Sequence, residues 1–141
     1  MWMFRSSAWS PKVLSILRIV VAFMFISQGT LKMFGVPSRG GEFRGFKPTT
    51  QLGLAAMIEV IGGSLVLIGL ATRPAAFVMS GEMAAAYFQT HAPRAFFPVI
   101  NGGEPAVLFC WIFLYLSFAG AGPWSIDAWL ASRRRSSRAG G

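Results

Sequence analysis

The sequence predicts an all-α fold, a polytopic membrane protein built as a four-helix transmembrane bundle. Hydrophobic residues make up 54% of the chain and charged residues only 13%, whereas a soluble domain carries about 25% charged residues. Four apolar runs come close to the length that a helix needs to cross a bilayer. The second and third runs are joined by the short segment Thr72-Arg73-Pro74, so they are expected to be antiparallel neighbours. The whole chain, residues 1–141, is expected to form a single domain.

The first three predicted spans are taken in order. Residues 13–34 form the first, and Arg18 lies near its beginning, where its long side chain is expected to snorkel to the near surface. An irregular loop with several glycines and prolines, Gly35–Gln51, follows. Residues 52–71 form the second span. Residues 74–91 form the third, which begins with a proline that suits the first turn of a helix.

The fourth predicted span covers residues 104–120. Glu104 is expected at or near the helix start, with Pro105 in the first turn. Beyond this span, Trp124 and Trp129 are typical of the lipid headgroup region. Residues 131–141 then form a basic tail.

The basic residues predict the orientation of the chain. The net charge is +8, but the basic residues lie at the ends of the apolar runs and do not form the clustered surface that nucleic-acid binding needs. With four spans, one side of the membrane carries Arg5, Lys12, Arg73, Arg133, Arg134, Arg135 and Arg138, and the other carries Arg39, Arg44, Lys47 and Arg94. The richer side holds both termini. The positive-inside rule therefore predicts that both termini are cytoplasmic and that the Gly35–Gln51 loop is outside.

Glu59 is the most informative residue because it lies within an apolar run that contains no Lys or Arg. A charged side chain near the bilayer centre costs about 3 kcal/mol, and it normally faces a partner or a water-filled cavity. Gly62 and Gly63 follow it and remove the side-chain bulk that would keep another helix away. The surroundings of Glu59 are therefore expected to define the site.

Further polar side chains are predicted to lie close to Glu59. At 1.5 Å per helical residue, Gln28 and Glu59 are both roughly 10 Å from the outer ends of their spans. The predicted outer cluster comprises Gln28, Lys32, Glu59, His91, Asn101 and Glu104. Glu82 is predicted to lie deeper, as a secondary buried acid with no basic residue at its depth. It is therefore expected to be protonated at pH 7, and Glu59 to be ionised only if Lys32 or His91 reaches it.

Each of these residues also has a structural interpretation. Polar side chains between membrane helices can simply fix how the helices pack, Glu104 can cap a helix, and Lys32 can snorkel. The familiar nucleotide-binding and hydrolase motifs are missing, and one histidine with one cysteine cannot form a zinc site, so no metal is predicted. The single cysteine, Cys110, is expected to be a small buried apolar residue.

Short segments make an ordered pattern from about Leu17 to Leu130. They are Ser27–Gly35, Glu59 with Gly62-Gly63, Leu70–Arg73, His91, Gly102–Glu104 and Gly122–Asp127. Together they resemble the DoxX family of small bacterial membrane proteins. The family's polar positions fall on Gln28, Lys32, Glu59, His91 and Glu104, and Glu82 is not part of the pattern. The resemblance implies a four-span protein of the bacterial inner membrane, associated with respiratory quinone chemistry or redox-stress complexes.

The leading hypothesis is a redox-associated subunit whose outer pocket binds a quinone or a similar small molecule. Glu59 and His91 are the predicted catalytic residues, which handle protons, and the predicted ligand-binding residues are Gln28, Lys32, Asn101 and Glu104. Met33, Phe34, Phe96 and Phe97 are expected to flank the ring. No redox centre is encoded. As an enzyme, the protein would therefore be an oxidoreductase subunit that receives electrons from a redox partner protein or a soluble reductant.

Two alternatives use the same residues differently. In the first, the protein is a non-enzymatic scaffold that holds partner proteins at the membrane, and its arginine tail contacts anionic lipid or an acidic partner. In the second, it transports a small solute or protons, for which four short helices leave little room unless the chain forms a homo-oligomer.

Overall fold

The computed structural model describes residues 6–38, 40, 43 and 45–139, and this part of the chain is helical with no strand. The helices are α1 (Ser6–Phe34), α2 (Gln51–Ile68), α3 (Thr72–Ala86), α4 (Pro98–Asn101), α5 (Glu104–Ala119) and α6 (Ile126–Ala139). A π-helical turn, Tyr87–His91, continues α3. The predicted all-α class is therefore confirmed. Arg5, Arg39 and Arg44, which the orientation prediction also uses, lie outside the described residues.

Two helical segments are long and apolar enough to cross a bilayer. They are Ala8–Phe34 within α1, and α2, whereas α5 is apolar but shorter. Large apolar side chains cover the outside of the molecule, including Phe23, Trp111 and Phe118, each more than 60% exposed. Such a surface suits lipid and not water. The crossing of the membrane by four helices stays a prediction.

The helices pack as two close pairs. α1 packs along α2 and α3 packs along α5, while α2 and α3 join the pairs. Phe25 of α1 meets Phe113 of α5 edge to face, with ring centroids 4.7 Å apart. Val66 and Met79 complete the fully buried centre. The core therefore draws on all four apolar helices.

The glycine pair after Glu59 allows the close helix packing that the sequence predicts, and it does so toward two different helices. A Cβ on Gly63 would lie 2.7 Å from Ile26 of α1, and a Cβ on Gly62 would lie 2.8 Å from the sulfur of Met79 on α3. Both distances are shorter than a van der Waals contact allows. Consecutive glycines therefore bring α2 close to one helix of each pair.

The observed helix ends differ from the predicted ones at two places. α1 begins at Ser6 and contains Pro11, so it starts about two turns before the predicted residue 13. α2 ends at Ile68 because Gly69 adopts a left-handed conformation, with φ 71°, and closes the helix. Apolarity alone predicted the spans, and it detects neither a polar first turn nor a glycine cap.

The prediction that Arg18 snorkels to the surface is wrong. The residue is buried, with 1% of its surface exposed. Its Nε donates to the carbonyl oxygen of Ala121 at 2.8 Å, and Nη2 donates to that of Trp124 at 2.5 Å. Nη1 donates to the carbonyl oxygens of Val66 and Leu67, both at 2.5 Å. Val66 also accepts from the N–H of Gly69 at 3.2 Å, so Arg18 adds to the capping of the last turn of α2, where carbonyls lack the partners of the helix interior.

Asp127 holds the same end of the bundle. Its carboxylate accepts hydrogen bonds from the backbone N–H groups of Ala71 at 2.9 Å and Thr72 at 3.0 Å. No side chain of the preceding residues caps α3, so a carboxylate from a distant segment satisfies its first turn. Asp127 lies in α6, an exposed helix that includes most of the residues predicted only as a basic tail. We call the part of the bundle around Arg18 and Asp127 the Arg18 end.

Candidate functional site

A cavity of about 820 Å³ lies at the opposite end, which we call the Lys32 end. α1 finishes there, α2 and α5 begin there, and the π-helical turn ends there. Five of the predicted polar residues line the cavity, namely Gln28, Lys32, Glu59, Glu82 and His91. The structure thus brings together polar side chains from α1, α2 and α3 that are far apart in the sequence.

Glu59 forms part of the wall of this cavity and is 1% exposed. The Lys32 ammonium donates a hydrogen bond to Oε1 and forms an ion pair with it. Oε2 is buried and has no hydrogen-bond partner among the described residues. Lys32 therefore reaches Glu59, which is the condition under which the sequence predicts an ionised carboxylate, and half of that carboxylate remains unsatisfied.

Gly29 explains how α1 comes near enough for this ion pair. A Cβ on Gly29 would lie 2.9 Å from Cβ of Glu59 and 3.0 Å from the carbonyl oxygen of Ala56. Any larger residue would push α1 away from α2 at the level of Glu59. Gln28 therefore lines the cavity, while Gly29 beside it allows α1 to pack closely against α2.

Glu82 shares the cavity with Glu59. It is half-buried, and its Oε2 is withdrawn from solvent without a hydrogen-bond partner in the described part of the chain. Glu59 and Lys32 line the same cavity. The sequence predicts no basic residue at the depth of Glu82, whereas the structure places the side chain of Lys32 in the cavity that Glu82 lines. Two carboxyl groups and one ammonium group thus line one cavity.

His91 ends the π-helical turn and lines the same cavity. Its Nδ1 lies 3.1 Å from the carbonyl oxygen of Asn101, and its ring stacks on Tyr87 with centroids 6.3 Å apart. A carbonyl oxygen only accepts, so the hydrogen bond places a proton on Nδ1. In the neutral ring, Nε2 is then left as an acceptor.

Asn101 supports His91 from behind the cavity and is not one of its lining residues. Its side chain is buried, and its amide donates to the carbonyl oxygen of Ala95 at 2.8 Å and to Tyr87 Oη at 3.3 Å. Its Oδ1 accepts from the N–H of Gly103 at 2.7 Å. Both ends of the amide are thus used in holding the connection between the π-helical turn and α5.

Glu104 lies outside the cavity. It is exposed in the first turn of α5, with Pro105 beside it, so the predicted helix start is confirmed. A carboxylate at this position interacts favourably with the helix dipole. The structure therefore separates Glu104 from Glu59, with which the sequence prediction grouped it.

The apolar wall also differs from the prediction. Phe34, Phe96 and Phe97 are at least 60% exposed, and neither they nor Met33 line the cavity. Phe25 and Phe109 provide aromatic surface instead, and Leu52, Leu54, Ile58, Val78 and Met83 add aliphatic surface. Phe25 and Phe109 each have apolar or small neighbours on both sides in the sequence, so their sequence context does not distinguish them.

The mouth of the cavity contains polar residues that sequence reasoning missed. Gln51 at the start of α2 is hydrogen-bonded to Gln89 in the π-helical turn. Both side chains are exposed, and both line the cavity together with Thr90. This bond links α2 to the π-helical turn that continues α3. Gln51 directly precedes the second predicted span and Gln89 lies two residues before His91, so counting depth from the span ends could have included both.

Comparison with known proteins identifies a family and two relatives. The DoxX family model matches residues 13–92, and this chain belongs to the DoxX family. It is 44% identical over 122 residues to an uncharacterized protein of Haemophilus influenzae, a match that covers 84% of this chain and 91% of the relative. It is 28% identical over 138 residues to an uncharacterized membrane protein of Mycobacterium tuberculosis, with 87% and 83% covered. No solved structure matches the chain. The predicted resemblance is therefore confirmed, and the chain is a membrane protein.

Proposed function

We propose that this DoxX-family protein crosses the bacterial inner membrane with four helices, α1, α2, α3 and α5, and binds a quinone-type ring in the cavity at the Lys32 end. Both termini are cytoplasmic in this proposal, so the Lys32 end faces outward. The last turns of α1, the first turns of α2, the π-helical turn after α3 and the first turns of α5 all line the same cavity. The four helices therefore alternate in direction, which supports the arrangement. The excess of basic residues on the side of the termini supports its orientation.

The observation that carries the proposal is the composition of the cavity wall. A cavity of about 820 Å³ falls within the range of roughly 300–1,000 Å³ that is typical of small-molecule sites. Phe25 and Phe109 provide flat apolar surface, while Glu59 and His91 provide groups that can exchange protons. A quinone ring needs both kinds of neighbour, because its faces are apolar and its oxygens exchange protons.

Each polar residue has a role in this proposal. Glu59 and His91 exchange protons with the ring oxygens, Gln28 orients the ring through its amide, and Lys32 holds Glu59 and offsets negative charge. Reduction of a quinone to a quinol takes up two electrons and two protons. The electrons come from a separate redox partner protein or a soluble reductant, and the cavity contributes binding and proton exchange.

The direct test is calorimetric titration of the purified protein in detergent with a short-chain naphthoquinone. Tryptophan fluorescence is a poor reporter because Trp9, Trp111, Trp124 and Trp129 all lie outside the cavity. We expect saturable binding by the wild type and by Glu104→Gln, which removes a carboxylate outside the cavity. Glu59→Ala should weaken binding at least about tenfold. Absence of binding by the wild type, or equal binding by Glu59→Ala, contradicts the proposal.

A second candidate function, a membrane scaffold, is supported by α6. Its side chains from Trp129 to Arg138 are exposed, and the guanidinium of Arg133 lies 4.3 Å from the centre of the Trp129 ring. A basic helix beside an interfacial tryptophan can contact anionic lipid or an acidic partner protein. Affinity purification with and without residues 131–141 tests this role. Loss of partners with ligand binding unchanged favours the scaffold.

A further inference from the structure

We infer that the cavity binds the hydroxyl form of its ligand, a quinol or an amphipathic phenol, more tightly than the quinone form. This inference rests on the proposed function and specifies its ligand. It follows from two buried carboxyl oxygens, on Glu59 and Glu82 of the cavity wall, that have no donor within the described part of the chain. A quinone oxygen only accepts hydrogen bonds, whereas a quinol or phenol hydroxyl also donates one.

Glu59 is the first reason for the inference. Lys32 occupies Oε1, while Oε2 is buried with no donor among the described residues, on a side chain that is 1% exposed. An ionised carboxylate has only acceptor sites. Leaving such an oxygen unsatisfied away from water is costly. Because Glu59 lines the cavity, a hydroxyl of a bound ligand can supply the missing donor.

The other wall residues add acceptors. Glu82 has a second buried oxygen without a partner in the described ranges. His91 keeps Nε2 as an acceptor while Nδ1 donates to the carbonyl oxygen of Asn101. A protonated Glu82, as the sequence predicts, contributes one donor and still leaves Glu59 Oε2 unsatisfied.

Donors on the wall do not distinguish the two ligands. The ammonium of Lys32 has three N–H groups, of which one bonds to Glu59, and the amides of Gln28, Gln51 and Gln89 also line the cavity. These donors can bond to a quinone oxygen or to a hydroxyl oxygen, because both accept. Only a ligand hydroxyl also supplies the proton that Glu59 Oε2 lacks, and the Lys32–Glu59 pair stays intact.

The test compares three ligands with one ring system by anaerobic calorimetric titration in detergent. They are a naphthoquinone, the naphthohydroquinone obtained from it and kept reduced with dithionite, and the dimethyl ether of that hydroquinone. The ether keeps the ring and both oxygens but has no O–H group. We expect the hydroquinone to bind about tenfold more tightly than either of the others, because a hydrogen bond to a charged group has this effect.

Two variants locate the effect. Glu82→Gln replaces a carboxyl group of the cavity with an amide and should reduce the preference for the hydroquinone. Glu104→Gln makes the same chemical change outside the cavity and should leave the preference as in the wild type. If Glu59→Gln also folds, its preference should fall furthest.

The outcomes separate the inference from the function on which it rests. Binding of all three ligands with equal affinity, or tightest binding of the quinone, overturns the inference and leaves the quinone-type pocket standing. Absence of binding by every ligand overturns both. A preference for the hydroquinone that Glu82→Gln and Glu59→Gln leave unchanged also overturns the inference, because the hydroxyl is then recognised elsewhere.

Discussion

The Arg18 end and the Lys32 end both bury charged side chains, but the two ends differ in how completely these side chains are hydrogen-bonded. At the Arg18 end, the guanidinium donates to four backbone carbonyl oxygens, and both oxygens of Asp127 accept from backbone N–H groups. At the Lys32 end, Glu59 and Glu82 each keep a buried oxygen without a partner among the described residues. A fully hydrogen-bonded buried charge indicates a structural role, whereas an unsatisfied one beside a cavity indicates a ligand.

The largest expected effect is at the Arg18 end, with Arg18→Met. The thioether is similar in length and apolar, but it donates no hydrogen bond, so the carbonyls of Leu67, Ala121 and Trp124 lose the donor that Arg18 provides. We expect a loss of at least about 3 kcal/mol in the free energy of unfolding, since each unsatisfied buried group costs about 1–3 kcal/mol. Thermal unfolding in detergent measures it. A melting temperature equal to that of the wild type would show that this end is not held as described.

The Lys32 end should lose less with Glu59→Gln. The change removes the anion that pairs with Lys32, but the side chain of Lys32 is 26% exposed, so the ammonium keeps some access to polar surroundings. We expect a loss of about 2 kcal/mol, below the roughly 3–5 kcal/mol that breaking a fully buried pair costs. The same unfolding assay applies, with Glu82→Gln alongside. Greater damage from Glu82→Gln would show that the stability of this end depends on Glu82 and not on the Lys32–Glu59 pair.

Asp127→Ala should have a smaller effect at the Arg18 end. The variant leaves the N–H groups of Ala71 and Thr72 without their acceptor. Losing a cap of this kind costs about 1 kcal/mol. Asp127→Asn is the matched control, because it retains one acceptor oxygen and should lose only part of that amount. If Asp127→Ala is as stable as the wild type, water replaces the carboxylate at the start of α3.

The Lys32 end could be predicted from the sequence to a useful degree. Depth along an apolar run is a one-dimensional property, so counting residues from the span ends placed Gln28, Lys32, Glu59 and His91 together. Counting does not reveal which face of a helix a residue occupies. Asn101 and Glu104 were therefore grouped with the cavity residues, although one is engaged behind the wall and the other is exposed.

The Arg18 end was harder to predict. Its contacts join α1 to segments more than 100 positions away, and neither composition nor periodicity relates such segments. The segment Gly122–Asp127 is part of the family resemblance, but the sequence alone offers no physical reason for its residues. The structure supplies that reason, because Asp127 caps α3, and a Cβ on Gly122 would lie 3.0 Å from the carbonyl oxygen of Pro11.

The smallest expected change in stability, and the sharpest test of the comparison, is Glu82→Gln. Its Oε2 has no donor within the described ranges to lose, so we expect the unliganded protein to unfold within about 0.5 kcal/mol of the wild type. The ligand should reveal the difference. A hydroquinone that binds about threefold more weakly stabilises the folded state by about 0.6 kcal/mol less at saturating concentration. Thermal unfolding of wild type, Glu82→Gln and Glu104→Gln, each with and without naphthohydroquinone, measures both quantities. Glu104→Gln should match the wild type in both. A large loss in unliganded Glu82→Gln would mean that this carboxyl is structural, and the contrast between the satisfied and the unsatisfied end would then fail.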